Sequence, residues 1–487
     1  MNVNKMYING EWVNSQSNKT FVDYSPVTDS DYALITDADQ KDTKRAIEAA
    51  HAAFPAWSAL QPEERANYLL KVAEALENNE DEISKHLIEE IGSWIGKSKV
   101  DLKTSVGFWK AGAKIPFMVE DEVLESPIGK KSVVKRIPLG VVSVITPWNV
   151  PLNLSSRTTS GILAVGNTVV LKPSEESPIT GGLILAKAFE EAGVPPGVFN
   201  VVTSSRNHVV EVGEEMVTNP LVKAISFIGS ENVGRQIATK AASQFKKTSM
   251  ELGGKDALIV MDDADISKAV TAAAFGAFYH AGQICIGTKR IYVDEKISEE
   301  FIKRFVAKTK ALGIGDVYEF SKPIGPLINH AALEKIKHQL NDAVEKGATV
   351  LAGGNHDGLY FNPTILTGVT QEMETYGNET FGPMVAIYPY ATVEDALKEV
   401  NNIDYGLSGG VMAGSEEKAN AVAMKMESGM CHVNDGTIYG EPFAPFGGMK
   451  NSGMGRYGGK ASVESFTQQR WITVEQGTRP YPPMFNE

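Results

Sequence analysis

Three observations predict an α/β protein built on parallel sheet. Between Val141 and Val260, short β-branched runs alternate with helical stretches, the pattern that feeds parallel strands through helical crossovers. A second α/β block follows from roughly Asp265 to Lys460. Two segments of strand-like alternation, about Asp121 to Arg136 and Arg470 to Gln476, are left over from both blocks. At 487 residues, with 43% hydrophobic and 22% charged side chains, the chain is too long for one core and ordinary in globular composition. Two or three domains are therefore expected.

The chain opens on a hairpin: Met6-Tyr-Ile and Glu11-Trp-Val flank Asn9-Gly10, a pair that supplies the positive backbone angles of a tight turn. From Asp42 to about Lys110 apolar residues recur at helical spacing, and Pro62-Glu-Glu-Arg places a proline and acidic residues near a helix start. The strands of the first block are expected at Val141-Val-Ser-Val-Ile, Thr168-Val-Val-Leu, Phe199-Asn-Val-Val, Ala224-Ile-Ser-Phe and Ala257-Leu-Ile-Val. Those of the second block are expected at Arg290-Ile-Tyr-Val, Met384-Val-Ala-Ile-Tyr and Gly410-Val-Met-Ala. Parallel sheets bind ligands beyond the carboxyl ends of their strands, where Pro147-Trp-Asn149, Lys172-Pro-Ser-Glu175 and Gly229-Ser230 fall.

A net charge of −13 disfavours nucleic acid and anionic membrane as partners, since both call for clustered Lys and Arg. A small molecule is the expected partner. Two cysteines make no disulfide framework, and eight scattered histidines offer no metal-ligand spacing. The first ten residues lack the apolar run of a signal peptide, and the apolar stretch around Val141 to Leu154 is broken by prolines and polar groups. No metal, no membrane segment and a reducing, cytoplasmic location are expected.

Cys285 stands in His280-Ala-Gly-Gln-Ile-Cys285, thirty-four positions after the glutamate of Met250-Glu-Leu-Gly-Gly-Lys255. A lone cysteine is more often a small buried hydrophobe, but a thiol with a carboxylate partner suits attack on an aldehyde or acyl carbon. Cys431 adjoins His432. Neighbours on a strand point to opposite faces, so Cys431 reads as structural. Gly453-Met-Gly-Arg-Tyr-Gly458 matches G-x-G-x-x-G but follows no strand and has no βαβ unit after it, so it reads as a loop rather than a dinucleotide fingerprint.

These two segments, with Pro147-Trp-Asn149, Lys172-Pro-Ser-Glu175, Phe227-Ile-Gly-Ser230, Glu379-Thr-Phe-Gly-Pro383 and Pro445-Phe-Gly-Gly-Met-Lys450, occur in one order across nearly the whole chain. Together they resemble the NAD(P)-dependent aldehyde dehydrogenase superfamily. The resemblance implies a Rossmann-like parallel-sheet cofactor domain (1–121 and 140–251), a second α/β catalytic domain (252–460) and a small β oligomerisation extension (122–139 and 461–487). It implies Cys285 as nucleophile, Glu251 as the base that activates water, and Asn149 with the Cys285 main-chain N–H as oxyanion hole. Thr146, Trp148, Lys172, Glu175, Gly229, Ser230, Leu252, Glu379 and Phe381 would hold the cofactor. Glu175 on the adenosine ribose favours NAD over NADP by repelling a 2′-phosphate, with NADP tolerance left open by Lys172. One departure stands out: where many members carry a glycine-rich turn, this chain reads Thr203-Ser-Ser-Arg-Asn-His208, which puts the adenine pocket in question.

Arg157, His432-Val-Asn-Asp-Gly-Thr-Ile-Tyr-Gly-Glu-Pro442 and Gly455-Arg-Tyr-Gly-Gly459 look like the benzaldehyde, vanillin and salicylaldehyde dehydrogenase branch. An aromatic aldehyde is therefore the expected substrate. Val150, Ile284, Ile286, Phe443 and Phe446 would wall the substrate slot. Arg157 either meets a ring hydroxyl or is a buried structural cation. A broad aliphatic or semialdehyde dehydrogenase is the alternative, and a catalytically silent binding relative is the reading from another class. A homodimer or a dimer-of-dimers tetramer is the implied assembly.

Overall fold

The computed structural model describes residues 2–127, 129–477 and 481–485. Positions 128, 478–480 and 486–487 of the expected extension lie outside the described residues. The α/β class holds. An eight-stranded sheet has five parallel strands at its centre, in the spatial order Lys247–Glu251, Val222–Ile228, Val141–Ile145, Thr168–Lys172, Phe199–Val201. The strand that comes first in sequence lies in the middle. Chain order therefore reverses between Val141–Ile145 and Val222–Ile228, which opens a crevice beyond their carboxyl ends. The Met6–Ile8 and Glu11–Val13 hairpin closes one edge, with Asn9 at φ 56° and Gly10 at φ 80° making its turn.

The fifth parallel strand corrects the sequence expectation. Ala257–Val260 lies in the interior of a second, seven-stranded sheet, paired with Arg290–Asp294 and Ser408–Met412. Its place in the first sheet is taken by Lys247–Glu251. That strand is mostly polar, Lys-Thr-Ser-Met-Glu, and no apolar alternation marks it; its backbone pairing along the whole of Ala224–Ile228 supplies what the pattern lacks. The second sheet is otherwise parallel, with Thr349–Ala352 as its one antiparallel strand.

Gly453 and Met454 also depart from expectation. They form a short strand antiparallel to Met250 and Glu251 at the edge of the first sheet. Gly453 has φ 126°, and a Cβ there would run into the Met250 carbonyl oxygen. Gly453→Ala is expected to cost about 2–4 kcal/mol from left-handed strain and overpacking together. Because it displaces the strand that carries Glu251, turnover should fall along with the melting temperature. A Gly453→Ala protein with the parent melting temperature would refute this.

Helices Gln40–Ala59, Pro62–Asn78, Glu80–Ile91 and Ile95–Gly112 precede the first parallel strand. Pro62 occupies the first turn of its helix, as expected, and Glu64 accepts from the Gln61 N–H at 2.8 Å. A three-stranded antiparallel sheet of Glu122–Leu124, Lys131–Pro138 and Thr467–Val474 projects from both cores, with Val123 and Trp471 largely exposed. A further small sheet of Val3–Asn4, Thr20–Ser25 and Ser30–Thr36 had no sequence expectation. Among the described residues no helix is long and apolar enough to cross a membrane.

Candidate active site

The buried helix Pro151–Ala164 begins one residue after Val150 and carries Arg157 toward the end of the Lys247–Glu251 strand. There the Arg157 guanidinium donates to both carboxylate oxygens of Glu251 at 2.9 Å, with the two side chains 6% and 1% exposed. Its flat face lies 3.6 Å from the centre of the Phe446 ring, a cation–π contact in a desolvated setting. Burial pushes the Glu251 carboxyl above its ordinary range, and the Arg157 charge and hydrogen bonds pull against that rise.

The segment that carries Cys285 comes from the second block of the chain. Helix Ile266–Phe278, capped by Asp265, ends at Tyr279, and the next three residues, His280, Ala281 and Gly282, all take positive φ. Such conformations cost about 1–3 kcal/mol each for non-glycine residues, and the surroundings must hold them. Gln283 does so: its side chain donates to the His280 and Pro326 carbonyls and accepts from the Ile328 N–H. At Gly282 a side chain would strike the Gly382 carbonyl oxygen. The turn delivers Cys285 half-buried, its thiol pointing at Glu251 Oε1 4.0 Å away. Burial pushes the Cys285 thiol up to about 12, and the Glu251 carboxylate adds to the rise, while Lys289 and Arg157 oppose it.

Asn149 is buried, and its amide nitrogen donates to the Gln283 carbonyl at 2.9 Å, which ties it to the turn that carries Cys285. A cavity of about 250 Å³ lies over Cys285, walled by Val150, Arg157, Ile284, Ile286 and Phe446. Phe443 does not reach it. It is 41% exposed and packs beneath Lys114, since the bend at Ala444 and Pro445 turns only Phe446 inward. The remaining apolar wall, including Phe108, Tyr279 and Ile438, carried no motif and could not be singled out from the sequence.

A second cavity of about 510 Å³ occupies the crevice beyond the first sheet. Thr146, Trp148, Lys172, Glu175, Gly229 and Ser230 line it, and Ser230 precedes helix Glu231–Ala242. A strand-end crevice with free helix N–H groups, a carboxylate and a lysine is the donor set a dinucleotide needs. Leu252 packs against Gly234 so closely that a Cβ on Gly234 would overlap it. Glu379 accepts from the Gly254 N–H at 3.2 Å, and Phe381 meets Trp148 edge-on at 5.6 Å. At the end of the crevice lined by Lys172, Arg206 donates to Glu175 at 3.0 Å and lies 3.6 Å from Glu176. Burial pushes the Glu175 carboxyl up, but Lys172, a backbone hydrogen bond and Arg206 outweigh it and hold the group below its ordinary range.

The decoys separate from this site. Cys431 lies against the Met426 sulfur at 3.5 Å, and His432 packs on Tyr439. Lys450, the last residue of the Pro445-Phe-Gly-Gly-Met-Lys450 segment, donates to the Asn401 and Ile403 carbonyls and lines neither cavity. Among the described residues no group of three His, Cys, Asp or Glu is placed to hold a metal ion.

Comparison with known proteins returns one family. The aldehyde dehydrogenase family model matches residues 12–472. A vanillin dehydrogenase of Pseudomonas fluorescens is 38% identical over 480 residues, covering 98% of this chain and 99% of the relative. Among solved structures, a salicylaldehyde dehydrogenase from Pseudomonas putida G7 complexed with salicylaldehyde superposes with TM-score 0.96 at 37% identity, covering 99% of each chain. A betaine aldehyde dehydrogenase from Staphylococcus aureus in complex with NAD+ gives TM-score 0.94 at 31% identity, over 99% of this chain and 96% of that one.

Proposed function

The chain belongs to the aldehyde dehydrogenase family, and from that membership we propose that it oxidises an aromatic aldehyde to the carboxylic acid, with NAD as preferred cofactor and Cys285 as nucleophile. The observation that carries the reading is the Cys285 thiol facing Glu251 at 4.0 Å on the floor of a cavity walled by Phe446, Ile284 and Ile286. A flat apolar ring fits such walls. Arg157 is spent on Glu251 and Phe446, which supports its role in orienting the carboxylate over a role in binding a ring hydroxyl.

In this mechanism Glu251 accepts the thiol proton as the Cys285 sulfur attacks the carbonyl carbon. The oxygen of the resulting thiohemiacetal takes hydrogen bonds from the remaining Asn149 amide N–H and the Cys285 main-chain N–H. The bound cofactor supplies a hydride acceptor. Loss of hydride leaves a thioester on Cys285. Glu251, once it has released its first proton to solvent, takes one from water, and hydroxide addition expels the acid and frees the thiolate.

Thr146, Trp148, Gly229, Ser230 and Leu252 would bind the cofactor along the crevice, Lys172 and Glu175 its adenosine ribose, Glu379 and Phe381 its nicotinamide end. Arg206 partly offsets the Glu175 charge, so NADP is accepted at a cost. Arg206→Ala should raise KM for NADP roughly ten-fold more than KM for NAD, since a guanidinium–phosphate contact is charge-assisted; equal changes in the two constants would refute this. The chain divides functionally into a cofactor part (1–121 and 140–251), a catalytic part (252–460) and an oligomerisation extension (122–139 and 461–487). The exposed Val123, Trp471 and Val474 on an open antiparallel sheet support pairing into a homodimer or a dimer-of-dimers tetramer. Two free thiols support a reducing, cytoplasmic location.

Initial rates of NADH formation with benzaldehyde, vanillin, salicylaldehyde, propanal and succinic semialdehyde test the substrate class. Selective turnover of the three aromatic aldehydes is expected. Turnover confined to propanal or the semialdehyde would keep the chemistry and overturn the aromatic assignment.

A further inference from the structure

Lys289 is 3% exposed, four residues beyond Cys285 and just before strand Arg290–Asp294. Its Nζ donates to the Ile284 carbonyl at 3.0 Å and to the Cys285 carbonyl, and it lies 3.7 Å from Asp256 and 3.9 Å from Glu379. Four oxygens thus converge on one buried lysine. Ile284, Cys285 and Ile286 line the substrate cavity and Lys289 does not.

We propose that Lys289 is a positioning residue for the nucleophile, gripping the two peptides around Cys285 by their carbonyls and holding a fixed positive charge behind the thiol. The inference rests on Cys285 being the nucleophile. No peptide bond among the described residues is cis, and a trans peptide points its C=O and N–H in opposite directions. A lysine bonded to the Ile284 carbonyl therefore aims the N–H of Cys285 away from itself, and the bond to the Cys285 carbonyl does the same for the N–H of Ile286. Polarising these peptides from the carbonyl side strengthens both N–H groups as donors to a developing oxyanion. The Ile284 carbonyl also accepts from the Gly287 N–H at 3.0 Å, so the turn keeps its shape without the lysine while the polarisation depends on it.

The charges facing the thiol are Glu251 and Glu379, which raise its pKa, and Lys289 and Arg157, which lower it. Arg157 is neutralised by its direct pair with Glu251, so Lys289 is the cation left to favour the thiolate. Around Lys289 itself stand Asp256 and Glu379, with Lys255 and Arg290 behind them. Burial pushes the Asp256 carboxyl up to about 7, so at pH 8.5 it is ionised and offsets part of the lysine charge.

The test is the second-order rate of iodoacetamide alkylation of Cys285, followed by peptide mass spectrometry in the full-length protein between pH 7 and 9. Below the thiol midpoint the rate changes ten-fold per unit of pKa. Lys289→Met is expected to slow alkylation about ten-fold at pH 8.5, one unit of pKa, and to lower kcat with little change in KM for aldehyde. Lys289→Arg should restore most of the rate. Asp256→Asn, which keeps the oxygen that accepts from the Ser408 N–H and removes only the offsetting charge, should move alkylation the other way and speed it. A purely structural lysine would lower the melting temperature and leave alkylation of the folded protein unchanged. A folded Lys289→Met protein alkylated at the parent rate overturns the proposal, as does an Asp256→Asn protein alkylated no faster; the second variant decides the matter if the first does not fold. Alkylation is read without aldehyde or cofactor, so failure of the parent protein to oxidise any aldehyde would count against the functional reading alone.

Discussion

Cys285→Ala is expected to abolish aldehyde oxidation, with kcat falling by at least about 10⁴-fold, the scale seen when a nucleophile that acts with a partner base is removed. Among the described residues the cavity holds no second thiol: Cys431 lies in another strand of the second sheet, against Met426. Alanine removes only the sulfur from a turn whose shape is set by Gln283 and by the left-handed backbone of His280, Ala281 and Gly282. The fold and the cofactor crevice should therefore survive, so that NAD still binds, measured by fluorescence quenching, in a protein of near-parental melting temperature. Cys285→Ser should be almost as inactive, because a hydroxyl gives far less nucleophile at the same pH. Retention of more than about 1% of the parental kcat by a clean alanine variant would place the nucleophile elsewhere.

Glu251→Gln should separate the two halves of the reaction. Loss of a general base costs about 10²–10⁴-fold in the step it serves. In the proposed mechanism, hydrolysis of the thioester depends on that base throughout. Acylation depends on it only for the thiol proton, which raised pH can also remove. At pH 9 the variant is therefore expected to give a burst of NADH close to one per active site and then a steady rate reduced by at least a hundred-fold. The substitution leaves Arg157 buried without its counter-charge, and breaking such a pair from one side costs about 3–5 kcal/mol in general. The glutamine carbonyl keeps one of the two hydrogen bonds, so the lower end of that range is expected. Glu251→Gln combined with Arg157→Met removes both charges and should recover part of the lost stability without recovering the steady rate. If the double variant regained hydrolysis, the role given to Glu251 would belong to the charge balance of the pair instead.

How legible this was in the sequence depends on the kind of information each residue carries. Strands buried on both faces, such as Val141–Ile145 and Thr168–Lys172, announce themselves by β-branched runs. Lys247–Glu251 does not, because a mostly polar strand that borrows its stability from backbone pairing has no apolar signature. The short partner strand at Gly453 was missed because two residues, one of them glycine, carry no strand pattern of their own. Cys285 and Glu251 were legible through their motifs, while their 4.0 Å approach and the two hydrogen bonds from Arg157 to Glu251 are products of the fold. Phe443 and Phe446 looked equivalent in sequence, and the bend at Ala444 and Pro445 separates them. Lys289 and Arg206 are ordinary charges on paper. Only burial against the turn that carries Cys285 distinguishes the first, and only the meeting of the loops after two paired strands, Thr168–Lys172 and Phe199–Val201, distinguishes the second.

The most direct test of the account is peptide mass spectrometry of the Glu251→Gln protein, quenched in acid during the burst with benzaldehyde and NAD. The account predicts a benzoyl adduct on the peptide that contains Cys285, equal in amount to the NADH released and absent when NAD is omitted. NADH release with Cys285 unmodified, or with the acyl group on another residue, would contradict it.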